Sequence, residues 1–239
     1  MSNTHSNLNY TMTTNGDISI FQFGKYVLVG LCGWKYIKTQ LINLVQNKSF
    51  YINLKNKKEF IVDLVAVIHS VALTVYGASK YIYNPNNSDG CYGILSICLS
   101  YFIQDLVNLD FNYQNLSFIL HHILAIILNI SGFYIRSVHH LIAPFSLIEL
   151  SSIFLNLAYI LQILGLKKSY IFKLNYILFV ISFFITRIIW MPGLIYKYIL
   201  YKPISDIKIV EWCIILLSTL NLVWFKFIIR KFVKVINYK

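Results

Sequence analysis

The sequence predicts an all-α protein, a polytopic membrane helix bundle of about seven transmembrane helices, and three observations carry that expectation. Of its 239 residues, 57% are hydrophobic and only 13% charged, about half the charged fraction of a soluble domain. Mean hydropathy is +0.63, which suits a chain whose apolar faces meet lipid rather than water. Apolar runs of roughly twenty residues recur along the chain, each long enough as a helix to cross ~30 Å of hydrocarbon.

In chain order the runs lie near 18–36, 61–82, 91–109, 116–135, 140–164, 171–195 and 210–231. The first is the least apolar, because Lys25 and Lys35 flank a short run containing glycine. Residues 1–17 form a polar N-terminal tail with no Lys or Arg ahead of an apolar core, so no cleavable signal peptide is expected. The polar stretches 1–17 and 46–60 are too short to bury a core of their own, and no internal repeat is visible.

Basic residues set the orientation. Segments after the first, fifth and seventh runs, with the run ends beside them, hold Lys35, Lys38, Lys48, Lys55, Lys57, Lys58, Lys167, Lys168, Lys173, Lys226, Arg230, Lys231, Lys234 and Lys239. The opposite side holds Lys80, Arg136, Lys197, Lys202 and Lys208. Fourteen against five puts the C-terminus in the cytosol and the N-terminus in a lumen. The glycosylation sequons at Asn9 and Asn86 then face the lumen.

A net charge of +12 normally raises nucleic acid as a partner. Here the lysines lie between apolar runs, where they serve topology and anionic headgroups, so no nucleic acid partner is expected. Cys32, Cys91, Cys98 and Cys213 are scattered, with no CxxC and no histidine at ligand spacing. That pattern supports neither a metal site nor a disulfide framework.

Ionisable groups inside membrane spans are costly and usually face a protein interior. They are His69, Asp105, His121, His122, Glu149 and Arg187, joined by Asn129, Asn156 and Asn221. Steps of three and four put His121, His122, Ala125, Asn129 and Gly132 on one face of the fourth run. Ser146, Glu149, Ser152, Asn156 and Tyr159 form a stripe on the fifth, and Ser218, Asn221 and Trp224 one on the seventh. At ~1.5 Å per residue, Asp105, His121, His122 and His69 come within roughly 5–12 Å of the basic ends of their helices. Glu149 and Arg187 lie about 22–24 Å from those ends and can meet. Two layers follow: a His/Asp cluster open toward the cytosol, and a deeper Glu149–Arg187 ion pair. The second doublet, His139 and His140, falls at a luminal boundary and reads as structural.

The chain resembles the TLC domain family, which includes a translocon-associated protein, the ceramide synthases and a ceroid-lipofuscinosis protein. The resemblance rests on "VIHSVAL" at His69, "SYFIQDL" ending at Asp105, "FILHH", "LIELSSIFLNLAY" at Glu149, "FFITRIIWMP" at Arg187 and "LNLVWFKFI" at Asn221 and Trp224. It implies a TLC domain over 60–234, preceded by a first helix and basic cytosolic loop over 18–59 and followed by a short tail over 235–239. It also implies that the last six helices form a barrel-like cavity for an acyl chain, and residence in the endoplasmic reticulum.

In ceramide synthases the histidine doublet is catalytic. The resemblance therefore makes His121, His122, Asp105 and His69 candidate catalytic residues, with acyl-CoA as substrate and no required cofactor. Asn129, Glu149, Ser152, Asn156, Arg187, Asn221 and Trp224 are candidate cavity residues. The synthase motif of the fifth helix has a His-Asp pair, a Ser and a second Asp, where this chain has Ile148, Glu149, Ser151 and Ser152. "ELSS" instead resembles the smaller TLC-domain-containing proteins, although Ile153 replaces their usual Pro, and Ala158 with Tyr159 their usual Arg-Trp. The leading expectation is lipid homeostasis with a bound lipid or acyl chain. Acyl transfer, and a non-enzymatic cargo or translocon role, are the alternatives. The sequence names no protein partner.

Overall fold

A computed structural model describes residues 19–83, 91–135, 138–200 and 208–237. The N-terminal tail with Asn9, the second sequon at Asn86, and Arg136, Lys202 and Lys239 lie outside the described residues.

The described residues are almost wholly helical. In order they form α1 (Ile20–Val45), a short α2 (Ser49–Ile52), α3 (Lys57–Tyr83), α4 (Cys91–Asn108), α5 (Leu116–Tyr134), α6 (His139–Ser146), α7 (Leu150–Ile163), α8 (Tyr170–Phe183), α9 (Met191–Ile195) and α10 (Lys208–Ile236). A 3-10 turn, Leu147–Glu149, joins α6 to α7, and a π-helical segment, Phe184–Trp190, joins α8 to α9. The fifth and sixth spans are therefore continuous but irregular rods, His139–Ile163 and Tyr170–Tyr198. Six helices among the described residues are long and apolar enough to cross a membrane.

The described residues thus give six candidate spans where about seven are expected from the sequence. The expected first span is helical, as the 26-residue α1, but it is not among those six. It runs past 36 to Val45, because Leu41, Ile42 and Val45 continue the apolar spacing and pack against Tyr51, Phe60, Ile61 and Ile160. Lys35 and Lys38 thus sit on the helix rather than in a loop. At the other end of the chain α10 continues through Val235 and Ile236, so the expected tail begins as helix.

The last six spans close into a ring. α3 packs on α6 and α7, α7 on α8, α8 on α10, α10 on α5, α5 on α4, and α4 back on α3. α1 lies outside the ring against α4 and α3. A Cβ on Gly30 would collide with Ser100 and the carbonyl of Ser96, so glycine permits the close approach of α1 to α4. Ser96 Oγ donates to the Tyr26 carbonyl, and Trp34 Nε1 donates to the Ile97 carbonyl at 2.9 Å.

Large apolar side chains point outward along most of the bundle, among them Val29, Val75, Ile123, Ile185, Leu216 and Leu222. Such a surface is expected against lipid and unfavourable in water. The interior at the basic end is filled by Phe172, Tyr176, Phe179 and Phe183 of α8, with Ala158, Phe225 and Phe232 against them. Leu124, Leu141, Ile148, Met191, Ile214 and Leu217 line the opposite half.

Candidate functional site

Two irregular segments aim the site. Pro192 has no N–H to return to the carbonyl of Ile188, and its ring crowds that carbonyl. The helix widens there, and Met191 N–H reaches back five residues to Thr186. Arg187, inside this π segment, turns into the ring and is 6% exposed. Across from it, Pro144 interrupts α6 and the tight turn Leu147–Glu149 follows. Trp190 Nε1 donates to the Pro144 carbonyl at 3.0 Å and locks the two irregular segments together.

Arg187 is a hub. Its Nε donates to Ser151 Oγ at 2.8 Å, Nη2 to Ser152 Oγ at 2.9 Å, and Nη1 to Asn221 Oδ1 at 3.3 Å. Nη2 lies 3.6 Å from Glu149 Oε1, so the ion pair expected from the sequence forms. Asn221 in turn points its amide at the Met191 sulfur, 3.1 Å away. Three helical rods are thereby tied at one level by a charge whose hydrogen bonds are directed, the condition under which burying it is tolerable.

The histidine doublet is divided between two environments. His122 Nδ1–H donates to the Phe118 carbonyl at 2.7 Å, and Nε2 meets Asp105 Oδ2 at 2.7 Å. Both ring nitrogens thus face oxygen. His121 points the other way, into the ring interior, with its Nδ1 buried and lacking a hydrogen-bond partner. Its ring packs on Trp224 with centroids 5.3 Å apart. His69 is not joined to Asp105; it stacks on Tyr101 at 3.7 Å and 11° and meets the edge of Trp34. The expected His/Asp cluster therefore resolves into a His122–Asp105 pair, an aromatic stack around His69, and His121 on the deeper layer.

That deeper layer is the floor of a cavity. The cavity encloses about 170 Å³, and its polar lining is His121, Asn129, Ser146, Glu149, Arg187 and Asn221. Its walls are apolar, with Phe102, Leu128, Leu141, Met191, Ile214 and Leu217 prominent among them. It reaches Val138 and Val210, beside the first turns of α6 and α10, at the less basic end of the bundle. Toward the basic end, Asp105 borders only a cleft of about 10 Å³ with Lys38, Tyr101 and Gln104, room for roughly one water. The open space thus runs away from the basic end, whereas the sequence reading opened the His/Asp layer toward it.

The remaining candidates take supporting places. Asn129 lines the cavity, and its amide donates to the Ala125 carbonyl at 2.8 Å. Asn156 donates to the Ser152 carbonyl at 2.8 Å, one turn from the hub, and Trp224 covers His121. The second doublet is structural at His139, whose Nε2 donates to the Gly132 carbonyl at 2.8 Å near the end of α5. Ser151 and Met191 were missed by the stripes. Ser151 lies one residue off the Glu149–Ser152 face, but the planar guanidinium forks across both hydroxyls. Among the described residues no three His, Cys, Asp or Glu side chains converge to hold a metal.

The fold and its interior define a class: a multipass helical membrane protein built as a six-span ring around an intramembrane cavity. The chain belongs to the TLC-domain family, whose domain matches residues 59–230. It is also similar to TLC domain-containing protein 4 A of Dictyostelium discoideum, at 24% identity over 242 residues, spanning 94% of this chain and 93% of that relative.

Proposed function

We propose that this protein binds a lipid or acyl chain inside its helix ring and acts in membrane lipid homeostasis, as a multipass protein of the endoplasmic reticulum. The observation that carries this reading is the cavity itself, with apolar walls ending on a fixed polar floor. A mostly apolar pocket with a few convergent polar groups is the usual form of a small-ligand site. At about 170 Å³ it accommodates a stretch of one chain, near the size of an engineered apolar cavity of ~150 Å³ that holds benzene. The basic bias supports a cytosolic C-terminus and a luminal N-terminus, with the lysines against anionic headgroups.

Acyl transfer from acyl-CoA is the second reading, and one observation speaks for it: His121 stands on the cavity floor. His122 has both ring nitrogens occupied and lies outside the cavity lining, so in this reading His121 meets the acyl group and His122 with Asp105 positions its helix. The narrow cleft at Asp105 favours binding over transfer.

Ala125→Trp and Leu217→Trp place bulk into the cavity from two walls. Native mass spectrometry of the full chain from nanodiscs is expected to show a bound single-chain lipid that both variants lose. Unchanged lipid occupancy in both overturns the binding reading. Labelled acyl-CoA with long-chain amines or lysolipids tests the second. Product that disappears in His121→Ala establishes transfer, and no product excludes it for those acceptors.

A further inference from the structure

Glu149 differs from Arg187 and Asn221, the hydrogen-bonded groups beside it on the floor. It lines the cavity, its side chain keeps 15% exposure, and among the described residues its ion-pair partner is Arg187 at 3.6 Å, beyond hydrogen-bond distance. Arg187 meanwhile spends its directed donors on Ser151, Ser152 and Asn221. On the floor Arg187 is thus a committed donor and Glu149 an uncommitted acceptor, and among the described residues His121 Nδ1 is also without a hydrogen-bond partner. Asn129 is similar in sense: its amide N–H is given to the Ala125 carbonyl, leaving its oxygen as the group available to a ligand.

We infer that the cavity selects a single-chain lipid whose polar end is an uncharged hydrogen-bond donor, a hydroxyl, rather than a free carboxylate. The inference rests on the binding reading above and names its ligand class. The hydroxyl donates to Glu149 at the floor, and the hydrocarbon lies along Leu128, Leu141, Ile214 and Leu217 toward Val138 and Val210. A carboxylate in the same place sets a second negative charge against Glu149 in a poorly screened interior, with Arg187 already engaged. A plain alkane fills the walls and leaves the acceptor unsatisfied.

Three probes of equal chain length separate these cases: 1-dodecanol, dodecanoate and dodecane, titrated against the full chain in nanodiscs and read by native mass spectrometry. Dodecanol is expected to bind more tightly than either of the others by about tenfold to a hundredfold, the span of one hydrogen bond to a charged group. In Glu149→Gln the charge is gone and Arg187 remains, so dodecanoate is expected to equal or overtake dodecanol. Dodecanoate binding as tightly as dodecanol to the unaltered protein overturns the inference while leaving the cavity reading intact. Retained discrimination in Glu149→Gln overturns it too. If none of the three probes binds the unaltered protein, the cavity reading itself fails. The ranking in the unaltered protein stands as a test even if the variant does not fold.

Discussion

Ser151 Oγ accepts a hydrogen bond from Arg187 Nε at 2.8 Å, joining side chains 36 residues apart, and its own hydroxyl donates to the Ile148 carbonyl at 3.1 Å. This contact, with Ser152 and Asn221 on the other two guanidinium nitrogens, fixes the height of the cavity floor. Ser151→Ala removes the acceptor from a buried cation and is expected to lower stability by about 1–3 kcal/mol. Arg187→Met leaves Glu149 without its cation and is expected to cost about 3–5 kcal/mol. Combining Glu149→Gln with Arg187→Met is expected to cost less than the sum of the two changes. Thermal unfolding in micelles reads all four proteins, and strictly additive losses contradict the pairing.

The two histidines are expected to separate by phenotype. His122→Ala strips the Asp105 carboxyl of its 2.7 Å partner and is expected to destabilise the bundle by about 1–3 kcal/mol. His121→Ala enlarges the floor of the cavity and is expected to change lipid occupancy with a smaller loss of stability. Unfolding midpoints and bound-lipid mass, measured on the same samples, check the split. Equal effects of the two changes on both readouts contradict it.

Two glycines of α1 make a controlled comparison. A Cβ on Gly24 meets nothing within 4 Å, whereas one on Gly30 collides with Ser100 and the Ser96 carbonyl. Gly24→Ala is expected to be neutral or stabilising by up to about 1 kcal/mol, from helix propensity alone. Gly30→Ala is expected to destabilise by about 1–3 kcal/mol as α1 is pushed from α4. Equal midpoints for the two variants contradict the close packing.

Orientation is open to a chemical test. Asn9 and Asn86 are expected to carry glycans when the chain is made in microsomes, and a sequon introduced at the C-terminus is expected to remain bare. A modified C-terminal sequon with bare Asn9 and Asn86 reverses the topology.

The sequence made the rods and their inward faces legible, because apolar length and three-four spacing survive without knowledge of neighbours. Glu149 and Arg187 were found to match in depth by counting rise alone, and they meet at 3.6 Å. The division of His121 from His122 was hidden. Adjacent residues on a helix point about 100° apart, and which one faces the interior depends on how α4, α5 and α10 close the ring. Ser151 was hidden for a related reason: the 3-10 turn at Leu147–Glu149 and the π segment around Arg187 shift faces that regular 3.6-residue counting keeps fixed. Phe172, Tyr176, Phe179 and Phe183 fill the basic end and leave the open space away from it, which charge counting alone does not reveal.

A photoactivatable diazirine on a single-chain alcohol, irradiated with the full protein in nanodiscs and mapped by peptide mass spectrometry, tests whether the ring interior holds lipid. Adducts are expected on cavity residues such as Leu128, Leu141, Ile214 and Leu217, and unlabelled dodecanol is expected to suppress them. Adducts confined to outward-facing residues such as Ile123, Ile130, Leu216 and Leu222, unaffected by competitor, contradict an occupied interior.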